Sequence, residues 1–243
     1  MRQLAYDLHL HSCLSPCGDE EMTPNSIAGM AKLNGLSILA LTDHNSTGNT
    51  AAFYAACRRY GIVPIAGAEL TTAEDIHLVS LFPSLEAALD FDADLMEHRI
   101  LYPNRPEIFG RQLLVDENDE VQGELPSLLT NALSLSLEQT SEFARRYGAA
   151  VYPAHIDRES NGAVAVLGDF PSDVGFTAYE LHDRANRAAY ESAYGLTGLS
   201  CVASSDAHVL WDISEGENTL SFRGESEDEL RAELLAYLKG GRT

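Results

Sequence analysis

Apolar and polar positions alternate along the chain in a way that predicts short buried strands separated by amphipathic helices. Leu4, Tyr6, Leu8 and Leu10 recur at every second position, and a period of two residues is typical of a strand. Later apolar runs have the length of strands rather than of helices. They predict strands at about 38–41, 62–70, 76–82, 149–154, 178–181, 199–203 and 219–222.

Capping residues delimit the predicted helices between these strands. Thr23 followed by Pro24 is typical of an N-cap and a first helical position, and Gly35 follows the last turn of that helix. Ser226, with Glu229 three residues later, predicts a capping box at the start of the final helix. Further helices are expected at about 49–60, 84–98, 137–147 and 185–194.

The order of elements is mostly strand then helix, repeated seven times. That order predicts an α/β fold with a parallel sheet, most economically closed as a barrel. A chain of 243 residues can bury one sizeable core, so residues 1–243 are expected to form a single domain. The stretch at about 101–135 is less regular, and we interpret it as an insertion or lid because periodic elements resume on both sides of it.

The composition disfavours several classes of function. The formal net charge is −21, and such a surface repels the phosphate backbone, which argues against general nucleic-acid binding. No apolar run reaches the roughly 18 residues that a membrane span needs, and the N-terminus lacks the shape of a signal peptide. A soluble cytoplasmic protein is therefore expected. Four cysteines are too few for a disulfide scaffold in this chain, and the sequence does not indicate an oligomeric state.

Histidines concentrate where the predicted strands end. His9 and His11 are two residues apart and so project from the same face of the first strand. Only His98 lies on a predicted helix; the other five are His44, His77, His155, His182 and His208. Glu69 and Asp206 occupy similar strand ends. In a barrel the carboxyl ends of the strands meet on one face, so we expect these side chains to converge on a metal-binding cluster.

In this order and spacing, the residues resemble the motifs of the PHP (polymerase and histidinol phosphatase) family of metal-dependent phosphoesterases. The motifs are His9-Leu10-His11, Thr42-Asp43-His44, Glu69, His155 and Ser205-Asp206-Ala207-His208. The resemblance covers nearly the whole chain and is weakest over 101–135. It implies a distorted seven-stranded (β/α)7 barrel with a centre of two or three metal ions at the carboxyl ends of the strands.

The resemblance also implies how the ligands are divided among the metals. One ion would be held by His9, His11, Glu69 and Asp206, a second by His44 and His208, and a third by Glu69, His77 and His155. Asp43 would orient a ligand rather than bind metal. Where the family usually places a further His or Asp, this chain has Cys17 or Asp19. A Cys17 thiolate would favour zinc or iron over magnesium.

Such a centre predicts a metal-dependent hydrolase that acts on phosphoric esters. Two or three divalent ions (Zn, Mn or Fe) about 3.5–4 Å apart can hold a bridging hydroxide for attack on phosphorus. His182 or His208 could protonate the leaving oxygen, and Arg158 or Arg184 could bind a substrate phosphate. We expect the substrate to be a small phosphorylated metabolite or nucleotide.

Two alternatives stay open from the sequence alone. Amidohydrolase-like barrels use similar His and Asp clusters, so a metallohydrolase of C–N bonds is the second interpretation. A metal-stabilised binding module without turnover is the third. The complete set of ligands argues against a loss of activity, and an esterase screen run beside an amide screen separates the first two.

Overall fold

The computed structural model describes residues 1–241. Its strands are β1 (Arg2–Asp7), β2 (Ile38–Leu41), β3 (Val63–Thr71), β4 (His77–Phe82), β5 (Leu113–Val115), β6 (Val121–Glu124), β7 (Ala150–Pro153), β8 (Ala178–Leu181), β9 (Ser200–Ala203) and β10 (Thr219–Phe222). Its α-helices are α1 (Pro24–Leu33), α2 (Thr50–Tyr60), α3 (Leu85–Leu95), α4 (Pro106–Phe109), α5 (Leu137–Arg146), α6 (Ala163–Leu167), α7 (Arg187–Tyr194) and α8 (Glu227–Leu238). In this part of the chain, no helix combines the length and the apolar character that crossing a membrane requires.

Six strands form one sheet in the order β10-β1-β2-β3-β4-β7. The strands β1, β2 and β3 are parallel to one another, whereas β10 and β4 run against their neighbours. The predicted parallel sheet is therefore wrong for these two strands. Only residues 72–76 connect β3 to β4, and a parallel crossover needs about a dozen residues or more. Because β7 is antiparallel to β4, it shares the direction of β1–β3.

The sheet is curled into a half-barrel, and the parallel pair β8-β9 forms a separate ladder. Isolated hydrogen bonds link this pair to the sheet on both sides. The N–H of Ile156, after β7, donates to the carbonyl of Glu180 in β8 at 2.9 Å. Leu10, after β1, forms a parallel bridge with Ala207, after β9. These links bring the carboxyl ends of β1, β7, β8 and β9 close together.

Alternate side chains of the strands enter two hydrophobic clusters on opposite faces of the sheet. In β2, Ile38 and Ala40 belong to one cluster, and Leu39 and Leu41 belong to the other, as the two-residue period of a strand requires. The cluster with Ile38 is completed by four leucines of α8, namely Leu230, Leu234, Leu235 and Leu238. The carboxyl edge of the sheet is thus supported by apolar packing on both faces.

Two predicted helix starts are confirmed. The side chain of Thr23 accepts a hydrogen bond from the N–H of Ser26, and Pro24 is the first residue of α1. Ser226 and Glu229 form the capping box of α8. Such caps satisfy N–H groups that have no partner within the helix.

The segment at about 101–135 is more regular than its sequence predicts. It contains α4 and the antiparallel hairpin β5-β6. The N–H of Leu113 in β5 donates to the carbonyl of Cys13 at 2.8 Å, and the side chain of Asn49 donates to the carbonyl of Leu113 at 3.0 Å. The segment therefore packs against the loops that follow β1 and β2. Its role as a lid stays a prediction.

Candidate metal centre

The candidate ligands lie at one edge of the curled sheet. His9 and His11 follow β1, His44 follows β2, Glu69 lies in the last third of β3, His155 follows β7, and Asp206 and His208 follow β9. His77 reaches the same edge by a different route. It is the first residue of β4, and because β4 is antiparallel it pairs with Thr71 at the carboxyl end of β3.

Glu69 lies at the centre of this cluster, and both of its carboxylate oxygens face imidazole nitrogens. Its side chain is 1% exposed. Three nitrogens surround Oε1, namely His77 Nδ1 at 2.8 Å, His155 Nε2 at 3.1 Å and His9 Nε2 at 3.2 Å. Two more face Oε2, namely His44 Nδ1 at 3.1 Å and His11 Nε2 at 3.4 Å. One carboxylate therefore joins five histidines from four parts of the chain.

Three sets of ligand atoms lie within 4.8 Å of one another among the described residues. The sets are His9, His11, Glu69 and Asp206; His11, His44 and His208; and His44, Glu69 and His77. The first set has the four residues implied for one ion. The second adds His11 to the pair implied for another, and the third has His44 in place of His155.

Buried nitrogens without hydrogen-bond partners indicate whether the cluster could hold metal ions. The buried nitrogens His9 Nε2, His44 Nδ1 and His77 Nδ1 have no hydrogen-bond partner within residues 1–241. Buried polar atoms without a partner are costly and rare in native proteins. Divalent cations placed among these nitrogens and the facing carboxylates would satisfy both. Imidazole and carboxylate ligands suit zinc, iron or manganese, so the residues present fit the predicted metals.

Hydrogen bonds on the far side of three imidazoles determine which nitrogen carries the proton. The Nδ1 atom of His9 lies 2.8 Å from Glu180 Oε1, that of His11 lies 3.0 Å from Ser15 Oγ, and that of His208 lies 2.7 Å from the carbonyl of Asp206. In the neutral imidazole each arrangement keeps the proton on Nδ1, so that Nε2 can offer its lone pair to a metal once any proton there is displaced.

Asp43 lies behind this layer of ligands. Its carboxylate accepts hydrogen bonds from the N–H and the hydroxyl of Ser12 and from the hydroxyl of Ser15, each at 2.7 Å. Because Ser15 donates to Asp43, its oxygen accepts from His11. Asp43 can therefore orient His11 through Ser15 without touching the cluster itself.

Electrostatics in the cluster match a site that exchanges protons for metal ions. Burial raises the pKa of Glu69, but the neighbouring imidazoles, His77 foremost, outweigh it and hold that pKa well below its usual value. Burial lowers the pKa of His11, yet Asp206 and Glu69 raise it to about 9. Burial depresses the pKa of His44 well below its usual value. Metal binding must therefore displace protons from some imidazoles, while others already present a lone pair.

The backbone is held in the left-handed region at two candidate ligands. The φ angle is 27° at His155 and 52° at Asp206. Residues other than glycine rarely adopt such angles, and when they do they cluster at functional sites. The strain marks these two positions as held by their surroundings.

Cys17 and Asp19 lie on the loop after β1 but differ in position. Cys17 is an exposed residue that lines a cavity of about 290 Å³ together with His44, Glu69 and His155. Its Sγ belongs to none of the ligand sets found within residues 1–241. Partial burial and the neighbouring carboxylates, Glu69 foremost, raise the pKa of this thiol to about 12. Asp19 is at the surface, where its carboxylate accepts the N–H of Glu21 at 2.8 Å.

Replacing Cys17 by serine tests whether the thiolate is a ligand. If it is, Cys17→Ser lowers the zinc content and shifts preference toward manganese, because a hydroxyl is a much harder ligand than a thiolate. Elemental analysis after loading with equimolar zinc and manganese measures this. An unchanged metal content and preference would leave Cys17 as part of the cavity wall.

Arg158 lies between two cavities and contacts two other candidate residues. Its Nη1 donates to Asp206 Oδ2 at 2.5 Å, and its Nη2 donates to His182 Nδ1 at 3.2 Å. It lines both the 290 Å³ cavity and an adjoining polar cavity of about 550 Å³, which His182 and Asn218 also line. Arg184 donates to Asn218 Oδ1 at 3.3 Å, so it contacts a residue of the second cavity and lies farther from the cluster.

Sequence reasoning missed Glu180 and Ser15, which hold His9 and His11. Glu180 had a signal that could have been read, because it is the one charged residue in the apolar strand Ala178–Leu181. It also missed Asp7, whose buried carboxylate accepts the N–H groups of Ser205 and Ser214, each at 3.1 Å. These bonds anchor the loop that carries Asp206 and His208.

Curated relatives match this chain in sequence over 30% to 39% of its length. Over 78 residues it is 37% identical to a 3',5'-nucleoside bisphosphate phosphatase from Chromobacterium violaceum, a match that covers 31% of this chain and 26% of that protein. The chain spans 7% to 36% of the length of the curated relatives that it matches.

Two solved structures share the fold over almost the entire chain. The lesion-specific endonuclease from Pyrococcus furiosus has a TM-score of 0.67 at 18% identity, covering 98% of this chain and 56% of that one. A protein described as a metal-dependent phosphoesterase from Bifidobacterium adolescentis has a TM-score of 0.62 at 16% identity, covering 99% and 97%. At these identities the likeness concerns the fold.

Family models match the chain over most of its length. A model described as PHP-associated matches residues 183–243, and the model of the PHP domain matches residues 7–209. The matched residues include every histidine, aspartate and glutamate of the cluster. The chain of 243 residues therefore belongs to the PHP-domain family.

Proposed function

We propose that this protein is a metal-dependent phosphoesterase that hydrolyses a small phosphorylated metabolite or nucleotide. The observation that carries the proposal is the Glu69 carboxylate, buried among five imidazoles beside a cavity of about 290 Å³. When bound there, two or three zinc, manganese or iron ions would activate water and withdraw charge from phosphoryl oxygens. No nucleophile from the protein is then needed.

The proposal includes the seven-stranded ring implied by the family resemblance. The strands β1, β2, β3, β4 and β7 lie consecutively in the main sheet. The bond from Ile156 to Glu180 and the bridge from Leu10 to Ala207 support a position of β8 and β9 between β7 and β1. This arrangement supports a metal centre at the carboxyl ends of barrel strands, where α/β barrels bind their substrates.

Arg158 and His182 are the residues that we expect to contact the substrate. Arg158 lies where the two cavities meet, so its guanidinium can contact an anionic group of a substrate whose scissile phosphate lies in the smaller cavity. His182 accepts a hydrogen bond from Arg158 at Nδ1, which leaves the proton on Nε2. His182 can therefore stabilise a leaving oxygen by donating a hydrogen bond from Nε2–H, whereas His208 shares a ligand set with His11 and His44.

The net charge and one curated relative favour a small substrate, whereas one structural neighbour is an endonuclease. We propose a small substrate. A charge of −21 disfavours a long polyanion. The phosphatase from C. violaceum is named for a nucleoside bisphosphate, a small substrate with two anionic groups. The endonuclease from P. furiosus is named for lesions in nucleic acid, but its likeness to this chain concerns the fold.

A substrate panel tests the proposed function. The metal-loaded protein is assayed against nucleoside monophosphates and bisphosphates, sugar phosphates, a phosphodiester, single-stranded oligonucleotides and a set of amides. We expect turnover of one or more small phosphoric esters. Turnover of amides alone would support a C–N metallohydrolase, and tight metal binding without any turnover would support a binding module.

Replacing Arg158 by alanine is expected to raise KM for a doubly anionic substrate by roughly ten- to a hundredfold, about 1.4–2.7 kcal/mol. The guanidinium is the cation placed to meet the second anionic group. A monoanionic diester should be affected much less. Arg187→Ala is the matched control, because that guanidinium pairs with Glu191 within α7.

Steady-state kinetics on both substrates distinguish the possible roles of Arg158. Equal losses on both would mean that Arg158 acts by holding Asp206, to which it is bonded. No loss on either would remove Arg158 from the proposed binding site.

A further inference from the structure

Glu180 is a carboxylate buried where packing alone would favour an apolar side chain. It lies in β8, whose other residues, Ala178, Tyr179 and Leu181, are all buried and apolar or aromatic. Glu180 is 1% exposed, and His9 is its one ion-pair partner within the described residues. Burying a carboxylate costs several kcal/mol unless it is well paired. The presence of Glu180 at this position therefore indicates a role other than core packing.

One oxygen of Glu180 holds two candidate ligands that are far apart in the sequence. Oε1 accepts from His9 Nδ1 at 2.8 Å and from the backbone N–H of His155 at 3.2 Å. The opposite nitrogen of His9 then faces Glu69 Oε1 at 3.2 Å and Asp206 Oδ1 at 3.3 Å. The imidazole is thus fixed between Glu180 on one side and the cluster on the other.

The bond to His155 acts on the backbone rather than on the ring. His155 has a φ angle of 27°, a conformation that persists only where surroundings enforce it. Its N–H donates to Glu180, and its Nε2 lies 3.1 Å from Glu69 Oε1. Losing the Glu180 acceptor would free this residue to relax and withdraw its ring from Glu69.

The second oxygen of Glu180 argues against a role in stability. Oε2 is buried and has no hydrogen-bond partner within residues 1–241. A buried acceptor without a partner destabilises the folded state. Nor does Glu180 belong to any of the ligand sets. Its contacts are to the ligands rather than to the ions.

We infer that Glu180 is a positioning residue that orients His9 and His155 together, and so sets the affinity and geometry of the metal centre. The inference rests on the proposed metal centre. His9 and His155 both face Glu69 Oε1, so Glu180 would hold two of the imidazoles around that oxygen at once. Residues that hold metal ligands in this way typically change metal affinity by ten- to a hundredfold when replaced.

The test compares Glu180→Leu with Tyr152→Phe. Leucine keeps a side chain of similar bulk but removes both acceptor oxygens. Tyr152 is a buried residue of the neighbouring β7 whose hydroxyl has no hydrogen-bond partner among the described residues, so its replacement controls for disturbance of this region. Metal affinity is measured by competition with a chelator, geometry by the absorption spectrum of the cobalt-loaded protein, and stability by thermal unfolding of the metal-free protein.

For Glu180→Leu we expect metal binding to weaken by roughly ten- to a hundredfold and the cobalt spectrum to change, with thermal unfolding of the metal-free protein close to that of the wild type. Tyr152→Phe should match the wild type in all three measurements. Glu180→Asp keeps the carboxylate but is one methylene shorter, so it should recover part of the affinity. This second variant also keeps the test decisive if Glu180→Leu does not fold.

Three outcomes would overturn the inference. Wild-type affinity and spectrum in Glu180→Leu would show that Glu180 does not position the ligands. An equal loss in Tyr152→Phe would assign the effect to packing. If the wild-type protein binds no metal, both the proposed function and this inference are wrong. The first two outcomes contradict this inference but not the proposed function.

Discussion

Replacing Glu69 by glutamine is expected to reduce turnover by roughly three orders of magnitude or more, about 4 kcal/mol of transition-state stabilisation. Both oxygens of Glu69 face imidazole nitrogens, five in all, at 2.8–3.4 Å. An amide presents one oxygen and one NH₂ group, and the NH₂ group cannot bind a cation. Glu69→Gln should therefore lose metal from more than one site at once.

The measurements for this variant are kcat/KM on a working substrate and metal content by elemental analysis. Glu142→Gln is the matched control, since Glu142 is an exposed residue of α5 and should keep wild-type values. Circular dichroism of both variants checks that the fold is retained. Near-normal hydrolysis by a folded Glu69→Gln protein would mean that the cluster is not the catalytic centre.

Removing the metals is expected to have the second large effect. The gently purified protein should contain about two to three divalent transition-metal ions per chain, because there are three sets of ligand atoms, and each pair of sets has one residue in common (His11, His44 or Glu69). A strong chelator should abolish turnover, and manganese, zinc or iron should restore it. Less than one equivalent of metal, together with no gain in activity on adding these ions, would contradict the proposal of a multi-metal centre.

The positions of strands and helices were largely readable from the sequence. The predicted strand at 178–181 coincides with β8, and that at 38–41 coincides with β2. A strand or helix that is buried on one face has apolar residues at regular intervals. That periodic pattern can be read within a short window of sequence. The direction of β4 was not readable from that pattern, because an apolar run looks the same in a parallel and an antiparallel strand. The short connection at 72–76 decides it.

Elements with weak apolar patterns escaped the sequence analysis. The helices α4 and α6 are four and five residues long, and the β6 strand Val121–Glu124 is mostly exposed. Segments this short carry too few periodic positions to separate a helix or strand from a loop. Their packing on the rest of the protein stabilises them instead.

Local sequence was enough to identify the residues of the candidate metal centre and to assign them to strand ends. His9, His11, Glu69 and Asp206 were identified by position alone, and the structure brings them together. Each ligand belongs to a local motif, and a strand delivers it to a common edge. For this reason the candidate centre could be assembled without knowing any contact.

How those candidate ligands are held depends on contacts between distant parts of the chain. Glu180 contacts His9 across 171 positions of sequence, and Arg158 contacts Asp206 across 48. Neither pair has a signal in local periodicity, because which side chains meet across the fold depends on strand order, strand direction and the curl of the sheet. Arg158 looked like a free cation in the sequence, whereas the folded chain pairs it with a candidate ligand. The identity of the ligands is thus a local property of the chain, and their orientation is a property of its packing.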